Sequence, residues 1–352
     1  MSILEGSSIL ITGGTGSFGK TCAKTLLEKC NPSRLVILSR DEQKHVDMAR
    51  NVLPPSKYPQ VRYFVGDVRD RGRLGQALRG IDYVIHAAAM KHVDIAEYNP
   101  QECISTNIGG AENLINACIE HNVKRLVALS TDKAAAPVNL YGATKLCSDK
   151  LFSAANALAG ADGTRFCAVR YGNVIGSNGS VIPFFQKKRH EGKLPITSYD
   201  MTRFVITLEQ GVEFVLKAFE RMHGGELFVP KIPSVSILDI AKAVAPTCET
   251  EEIGIRPGEK MHECMIPDDE ARQTLEFDDH FVVQPSSRHW TAETPGYVQH
   301  GKPCPEGFSY SSDNNGHWLS VFELKDLIAK HCPDPTEARQ TAEQALRIRR
   351  AA

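Results

Sequence analysis

The chain has 352 residues, 42% of them hydrophobic and 24% charged, with a formal net charge of -1. That length accommodates two domains, or one large core with a smaller lobe. The balanced charge gives no electrostatic reason to expect nucleic acid or an acidic membrane surface as partner, and no apolar run approaches the roughly 20 residues that span a bilayer.

Residues 1–8 are too short and polar to read as a signal peptide. Ten cysteines are scattered with no Cys-x-x-Cys pair. They read as reduced thiols and imply a cytoplasmic protein without structural zinc or other metal.

Ser8-Ile9-Leu10-Ile11-Thr12 is the first strand candidate. It runs into Gly13-Gly14-Thr15-Gly16-Ser17-Phe18-Gly19, after which Ala23, Leu26, Leu27 and Cys30 recur at helical spacing. Strand, glycine turn and helix in this order form a dinucleotide fingerprint. The glycines admit the pyrophosphate to the backbone, and the helix start offers free N–H groups.

Leu35-Val36-Ile37-Leu38 is the second strand. An acidic residue at its end would bind the ribose diol of NAD. Ser39-Arg40 stands there instead, with Lys44 one turn on, so NADP is expected over NAD; Asp41 is the competing signal. A third strand, residues 61–65, precedes Gly66-Asp67-Val68. Asp67 either accepts a hydrogen bond from adenine, with Val68 against the ring, or caps the next helix.

Residues 82–86 form a fourth strand ending in Ala87-Ala88-Ala89, small enough for a cofactor to lie close. His86 reads as a packed or hydrogen-bonded residue. Lys91 falls near the nicotinamide end, as a contact for substrate, and a helix is expected to run into Asn107.

The fifth strand, residues 125–129, delivers Ser130-Thr131-Asp132-Lys133, then Tyr141-Gly142-Ala143-Thr144-Lys145. Tyr141 and Lys145 are four apart and share a helix face. A lysine ammonium beside a phenol lowers its pKa and suits it to act as a general base. Asp132 and Lys133 lie just past a strand's carboxyl end, where open α/β sheets place ligands. A sixth strand, residues 166–169, leads into Arg170-Tyr171-Gly172-Asn173.

The alternation predicts an α/β fold: a doubly wound parallel (Rossmann) sheet with a smaller interleaved α/β substrate domain. The expected boundaries are 1–175 for the NADP-binding domain, joined by a helix at about 205–222, then 176–335 for substrate, and a polar tail at 336–352. Arg203 and Arg256, in polar loops, are candidates for a diphosphate.

The glycine turn with Tyr141-x-x-x-Lys145 resembles the extended short-chain dehydrogenase/reductase superfamily. Ser130-Thr131-Asp132-Lys133, Leu140-Tyr141-Gly142-Ala143-Thr144-Lys145, Arg170-Tyr171-Gly172-Asn173-Val174, Met201-Thr202-Arg203-Phe204 and Arg256-Pro257-Gly258-Glu259-Lys260 narrow it. Together they are similar to the inverting UDP-N-acetylglucosamine 4,6-dehydratases of the pseudaminic acid type, over residues 9 to about 327. One departure is Ala136, where that family's pattern has Asn before Pro137.

The resemblance implies a redox-neutral lyase acting on UDP-N-acetylglucosamine. Tyr141, helped by Lys145, would take the 4-hydroxyl proton as the C4 hydride passes to NADP. Lys133 would remove the C5 proton and Asp132 would protonate the departing C6 hydroxyl, with inversion at C5. Thr131 would bond near O4, Asn173 near the diphosphate, and Arg203, Arg256 and Glu259 around the UDP portion. It further implies a homo-oligomer, with a hexamer as one form, and a product used for flagellin or surface-sugar glycosylation. The alternative enzyme is a UDP-sugar 4-epimerase, which shares the first oxidation but needs no acid–base pair at C5 and C6.

Overall fold

The protein is described from a computed structural model that covers residues 2–177, 179–286 and 296–334. The expected polar tail, 336–352, lies outside the described residues.

In chain order the elements are β1 (Ser8–Thr12), α1 (Ser17–Lys29), β2 (Arg34–Ser39), α2 (Glu42–Asn51), β3 (Val61–Val65), α3 (Arg71–Ala77), β4 (Tyr83–His86), α4 (Val93–Tyr98), α5 (Pro100–Ile104), α6 (Gly110–Glu120), β5 (Arg125–Leu129), α7 (Leu140–Ala159) and β6 (Arg165–Val169). There follow β7 (Asn173–Val174), α8 (Val181–Lys188), β8 (Lys193–Ile196), β9 (Thr202–Ile206), α9 (Leu208–Arg221), β10 (Leu227–Pro230), β11 (Ser234–Ser236), α10 (Ile237–Val244) and β12 (Glu249–Glu252). The last are β13 (Cys264–Ile266), β14 (Thr274–Glu276), β15 (His280–Val283), β16 (Lys302–Pro303), β17 (Tyr310–Ser311) and α11 (Val321–His331).

Two units divide the chain. The first takes residues up to Gly172, Glu209–Lys231 and Cys264–Ser311. Its ten-stranded sheet has the order β3-β2-β1-β4-β5-β6-β10-β15-β14-β16. From β3 to β10 every pairing is parallel, and β15, β14 and β16 add on antiparallel. The apolar runs are long because both faces are covered: Ile9, Leu10, Ile11, Leu35, Val36, Ile37, Val84, Ile85, Leu126 and Val127 are fully buried. Strand order reverses between β1 and β4, the switch point where such sheets open a crevice at their carboxyl ends.

The second unit takes Asn173–Leu208, Ile232–Glu263 and the residues from Ser312. It has a β11-β9-β7 sheet, a β12-β8 pair and an apolar core that includes Ile182, Phe185, Leu194, Val235, Ile240 and Leu324.

Two features differ from the sequence reading. The helix expected to reach Asn107 breaks in two, because Pro100 has no N–H and starts α5 afresh after Asn99. Asn107 then sits in a π-helical turn, Ser105–Gly109. The division drawn at residue 176 also differs from the observed one: Cys264–Ser311 belongs with the first unit. The physical reason is ladder pairing, since β15 bonds to β10 along Leu227–Pro230 and carries β14 with it. Among the described residues no helix is long and apolar enough to cross a membrane, and no group of acidic, histidine or cysteine side chains could hold a metal.

Candidate active site

The glycine turn after β1 is shaped for close approach. Gly13 has φ +67°, and a Cβ there would stand 2.8 Å from Ala88 N and 2.9 Å from the Ala87 carbonyl carbon. At Gly19 it would stand 2.4 Å from the Gly14 oxygen, so only glycine lets α1 pack onto the turn. Gly16 caps α1 without a side-chain bond, and the first turn, which holds Ser17 and Phe18, has no acidic residue. The helix therefore presents open N–H groups and the positive end of its dipole to an anion. Thr15 Oγ1 donates to Ser39 Oγ at 2.8 Å, tying the turn to the end of β2.

Arg40 is exposed at that strand end. Asp41 caps α2, accepting from Lys44 N at 3.0 Å, and its other oxygen meets Lys44 Nζ at 3.2 Å. Asp67 does not cap α3; Asp70 does. The Asp67 carboxylate instead takes Arg69 N at 3.0 Å and the Arg69 guanidinium at 2.7 Å, with Val68 buried beside it. Ala87 and Ala88 are half-buried and Ala89 exposed; Lys91 stands at the surface, its pKa lowered by desolvation. His86 is fully packed. Its Nδ1 meets Thr12 Oγ1 at 2.7 Å, and burial, with Lys145 nearby, pushes its pKa down to about 3.

The residues past β5 converge. Asp132 is buried, and its Oδ1 accepts from Lys133 Nζ at 3.1 Å and from Thr131 Oγ1 at 2.9 Å. Thr131, Asp132 and Lys133 thus form one chain of polar atoms, and Thr131 and Lys133 both act on the Tyr141 phenol. Burial pushes the Tyr141 phenol up to about 12; Lys133 and Thr131 oppose that rise. The expected lowering by Lys145 does not occur, because desolvation outweighs any nearby cation. Lys145 is itself buried, which lowers its pKa, while Asp149 acts to raise it.

Asn139 caps α7, accepting from Gly142 N at 2.7 Å. This sets Tyr141 in the first turn. Asn107 Nδ2 donates to Met90 O at 3.0 Å and to Thr144 Oγ1 at 3.0 Å, and its Oδ1 accepts from Met90 N at 2.8 Å. One amide therefore fastens the segment beside Lys91 to α7. One helical turn beyond Lys145, Asp149 accepts from Ser130 Oγ at 2.6 Å and lies 3.6 Å from Arg170 Nη2.

In the second unit, Asn173 Oδ1 is buried and has no hydrogen-bond partner among the described residues. Arg203 is 7% exposed, and its Nη1 donates to Thr202 O at 2.7 Å and Met261 O at 3.0 Å. Arg256 is exposed and paired with Glu259 at 2.5 Å.

A family profile described as polysaccharide biosynthesis protein matches residues 9–285. The chain belongs to that family. A Campylobacter jejuni relative, "UDP-N-acetylglucosamine 4,6-dehydratase (inverting)", is 57% identical, with 91% of this chain and 97% of the relative covered. A Rickettsia conorii "UDP-glucose 4-epimerase" is 37% identical over 91% of this chain and 95% of its own. The X-ray structure of Pen from Bacillus thuringiensis superimposes with TM-score 0.84 at 35% identity, covering 94% and 98% of the two chains. DesIV, the dTDP-glucose 4,6-dehydratase of Streptomyces venezuelae solved with NAD and TYD bound, shares the fold at TM-score 0.63 and 22% identity, covering 72% and 86%.

In this member of the polysaccharide biosynthesis protein family the first unit brings together Thr131, Asp132, Lys133, Tyr141 and Lys145. Arg203, expected in a polar loop, is instead buried on β9 and bonded to two backbone carbonyls. Asn107 and Asp149 were outside the sequence reading. Asp149 had a signal, since Tyr141, Lys145 and Asp149 recur every four residues along one helix face.

Proposed function

We propose that this protein is an inverting UDP-N-acetylglucosamine 4,6-dehydratase working with NADP. The observation that carries the reading is the Lys133–Asp132 contact at 3.1 Å, linked through Thr131 to Tyr141. An epimerase needs only the tyrosine and lysine of α7. A buried carboxylate with an amine beside it adds the two groups that β-elimination of water requires.

The cradle at Gly13, Gly19 and the open start of α1 fits a pyrophosphate. Arg40 supports the NADP preference, because its fork suits a 2′-phosphate and Asp41 is already engaged as a helix cap. Thr15, Ser17, Phe18, Ser39, Lys44, Asp67, Val68 and Ala87 to Ala89 complete the proposed cofactor contacts. When bound, the nicotinamide supplies the acceptance of a hydride from C4 and its return at C6.

The chain's own residues then manage protons. Tyr141 holds its proton in the neutral range, so it works as a relay: Oη takes the O4 proton as its own passes to Thr131 Oγ1 and on to Asp132. Thr131 is oriented for this, since it donates to Asp132 Oδ1. Asp132 delivers that proton to the departing C6 hydroxyl, which leaves as water. Lys133 Nζ, as the free amine, removes the C5 proton, acidified by the neighbouring ketone, and the ammonium so formed delivers a proton to the opposite face of C5. The adjacent pair titrates as a unit. Asn173, Arg203, Arg256, Glu259 and Lys91 are proposed to bind the nucleotide sugar. A homo-oligomer, and use of the product in pseudaminic acid synthesis, complete the proposal.

The test is one reaction followed by mass spectrometry and proton NMR. UDP-N-acetylglucosamine should lose one water with no net cofactor consumed and, in heavy water, carry deuterium at an inverted C5. An unchanged mass with a galacto-configured product would establish the epimerase instead.

A further inference from the structure

The peptide that joins Ser39 to Arg40 lies at the end of β2, and its carbonyl oxygen is held from two sides. Gly66 N, just past β3, donates to it at 3.0 Å. His45 Nε2, on α2, meets it at 3.0 Å. A carbonyl can only accept, so Nε2 carries the ring proton. Nδ1 is buried with no hydrogen-bond partner among the described residues. A proton there would be a buried donor without an acceptor, so the Nε2–H form fits the site. The ring is 5% exposed and is clamped by Tyr63, which stands edge-on to it at 5.9 Å and is itself pinned through its hydroxyl to Leu53 O at 2.7 Å. Thr15 Oγ1 fixes the Ser39 side chain in turn, at 2.8 Å.

Two donors engage both lone pairs of the Ser39 carbonyl. The peptide unit is planar from Ser39 Cα to Arg40 Cα, so fixing its oxygen fixes the point from which the Arg40 side chain leaves. We infer that His45 is a positioning residue for cofactor choice: together with Gly66 it holds the Ser39 carbonyl, and so sets Arg40 where its guanidinium meets the 2′-phosphate of NADP. The inference deepens the proposed function and rests on its NADP reading for the binding arm. His45 itself touches no part of the cofactor; it acts through the backbone of its neighbour.

The test compares NADP and NAD by fluorescence titration of the full-length protein. His45→Leu keeps buried bulk and removes the donor. NADP should weaken by about threefold or more, a share of what a charge-assisted phosphate bond supplies, while NAD changes by less than about twofold. Added to Arg40→Ala, His45→Leu should bring no further loss for NADP, because both act through one contact. His45→Gln, whose amide can donate to the same carbonyl, should restore parental binding. Equal losses for both cofactors, or a loss undiminished in Arg40→Ala, are what a merely structural role produces and would overturn the inference. Should His45→Leu not fold, His45→Asn carries the same comparison, since its amide stands at the Nδ1 position, short of the carbonyl. Nitrogen-15 spectra of the histidines without cofactor give a reading that needs no binding. The His45 ring, identified by its absence in His45→Gln, should carry its proton on Nε2, and a proton on Nδ1 would overturn the contact. A parent that binds NAD more tightly would refute the cofactor reading alone; the selective loss for NADP in His45→Leu would still decide the inference.

Discussion

Gly142 lies so close to Lys133 that a Cβ on its α-carbon would stand 2.1 Å from the lysine's carbonyl oxygen. The helix of Tyr141 and the backbone of the proposed C5 base are therefore in register because position 142 has no side chain. Gly142→Ala must displace a backbone atom, which no rotamer change can avoid. Overpacking of this kind costs about 1–3 kcal/mol, and displacement of a reacting group by about 1 Å can cost on the order of a hundredfold in rate. Urea unfolding and turnover, measured side by side, should both fall. Parental values for both would contradict the contact.

Ala136 is held at φ +43°, a left-handed conformation in which a Cβ is strained. It lies in the loop between Lys133 and α7, at the position where the resemblance led one to expect Asn. Asparagine tolerates this backbone better than alanine. Ala136→Asn should stabilise the protein by up to about 1 kcal/mol, read as a higher urea midpoint. A lower midpoint would mean that the loop does not impose this conformation.

Cofactor choice turns on neighbouring residues with different tasks. Arg40 is exposed at the end of β2, while Asp41 is bonded to Lys44 N at 3.0 Å. Arg40→Ala should weaken NADP by about tenfold or more and leave NAD nearly unchanged, since a charge-assisted bond to phosphate is worth about 1.5–3 kcal/mol. Asp41→Ala should cost about 1 kcal/mol of stability as a lost helix cap without reversing the preference. Fluorescence titration with each cofactor reads both effects.

His86 makes stability depend on acid. Its folded pKa, about 3, is far below the usual 6.5, so the unfolded chain binds one more proton across that interval. Stability is therefore full above about pH 6.5 and is lost as pH falls toward 3, by at most about 1.4 kcal/mol per unit from this group. His86→Asn should flatten the slope of unfolding free energy against pH over that window. An equal slope in the variant would show that other groups carry it.

Much of this was readable before the fold was known, for identifiable reasons. β1, β2, β4, β5 and β6 are largely apolar runs buried on both faces, and the glycine turn sits between a strand and a helix as its chemistry demands. The break at Pro100 is equally visible in the residues, since proline has no N–H to continue α4. The return of β14 and β15 to the first sheet was not readable, because their pairing with β10 is non-local and their runs are short. Arg203 looked like an exposed phosphate ligand. Its partner Met261 O lies 58 positions along the chain, a bond that no spacing rule signals. Asp149 shares a face with Tyr141 and Lys145, yet a carboxylate on a helix is usually solvated, and only the Ser130 and Arg170 contacts reveal it as buried.

The account depends above all on Lys133 acting after the first oxidation and before water is lost. The most direct measurement is a single turnover of Lys133→Ala with UDP-N-acetylglucosamine and NADP, following absorbance of the reduced cofactor and product mass together. The account predicts that reduced cofactor accumulates while the sugar keeps its water and takes up no deuterium at C5. Dehydration at the parental rate, with deuterium entering C5 as before, would contradict it.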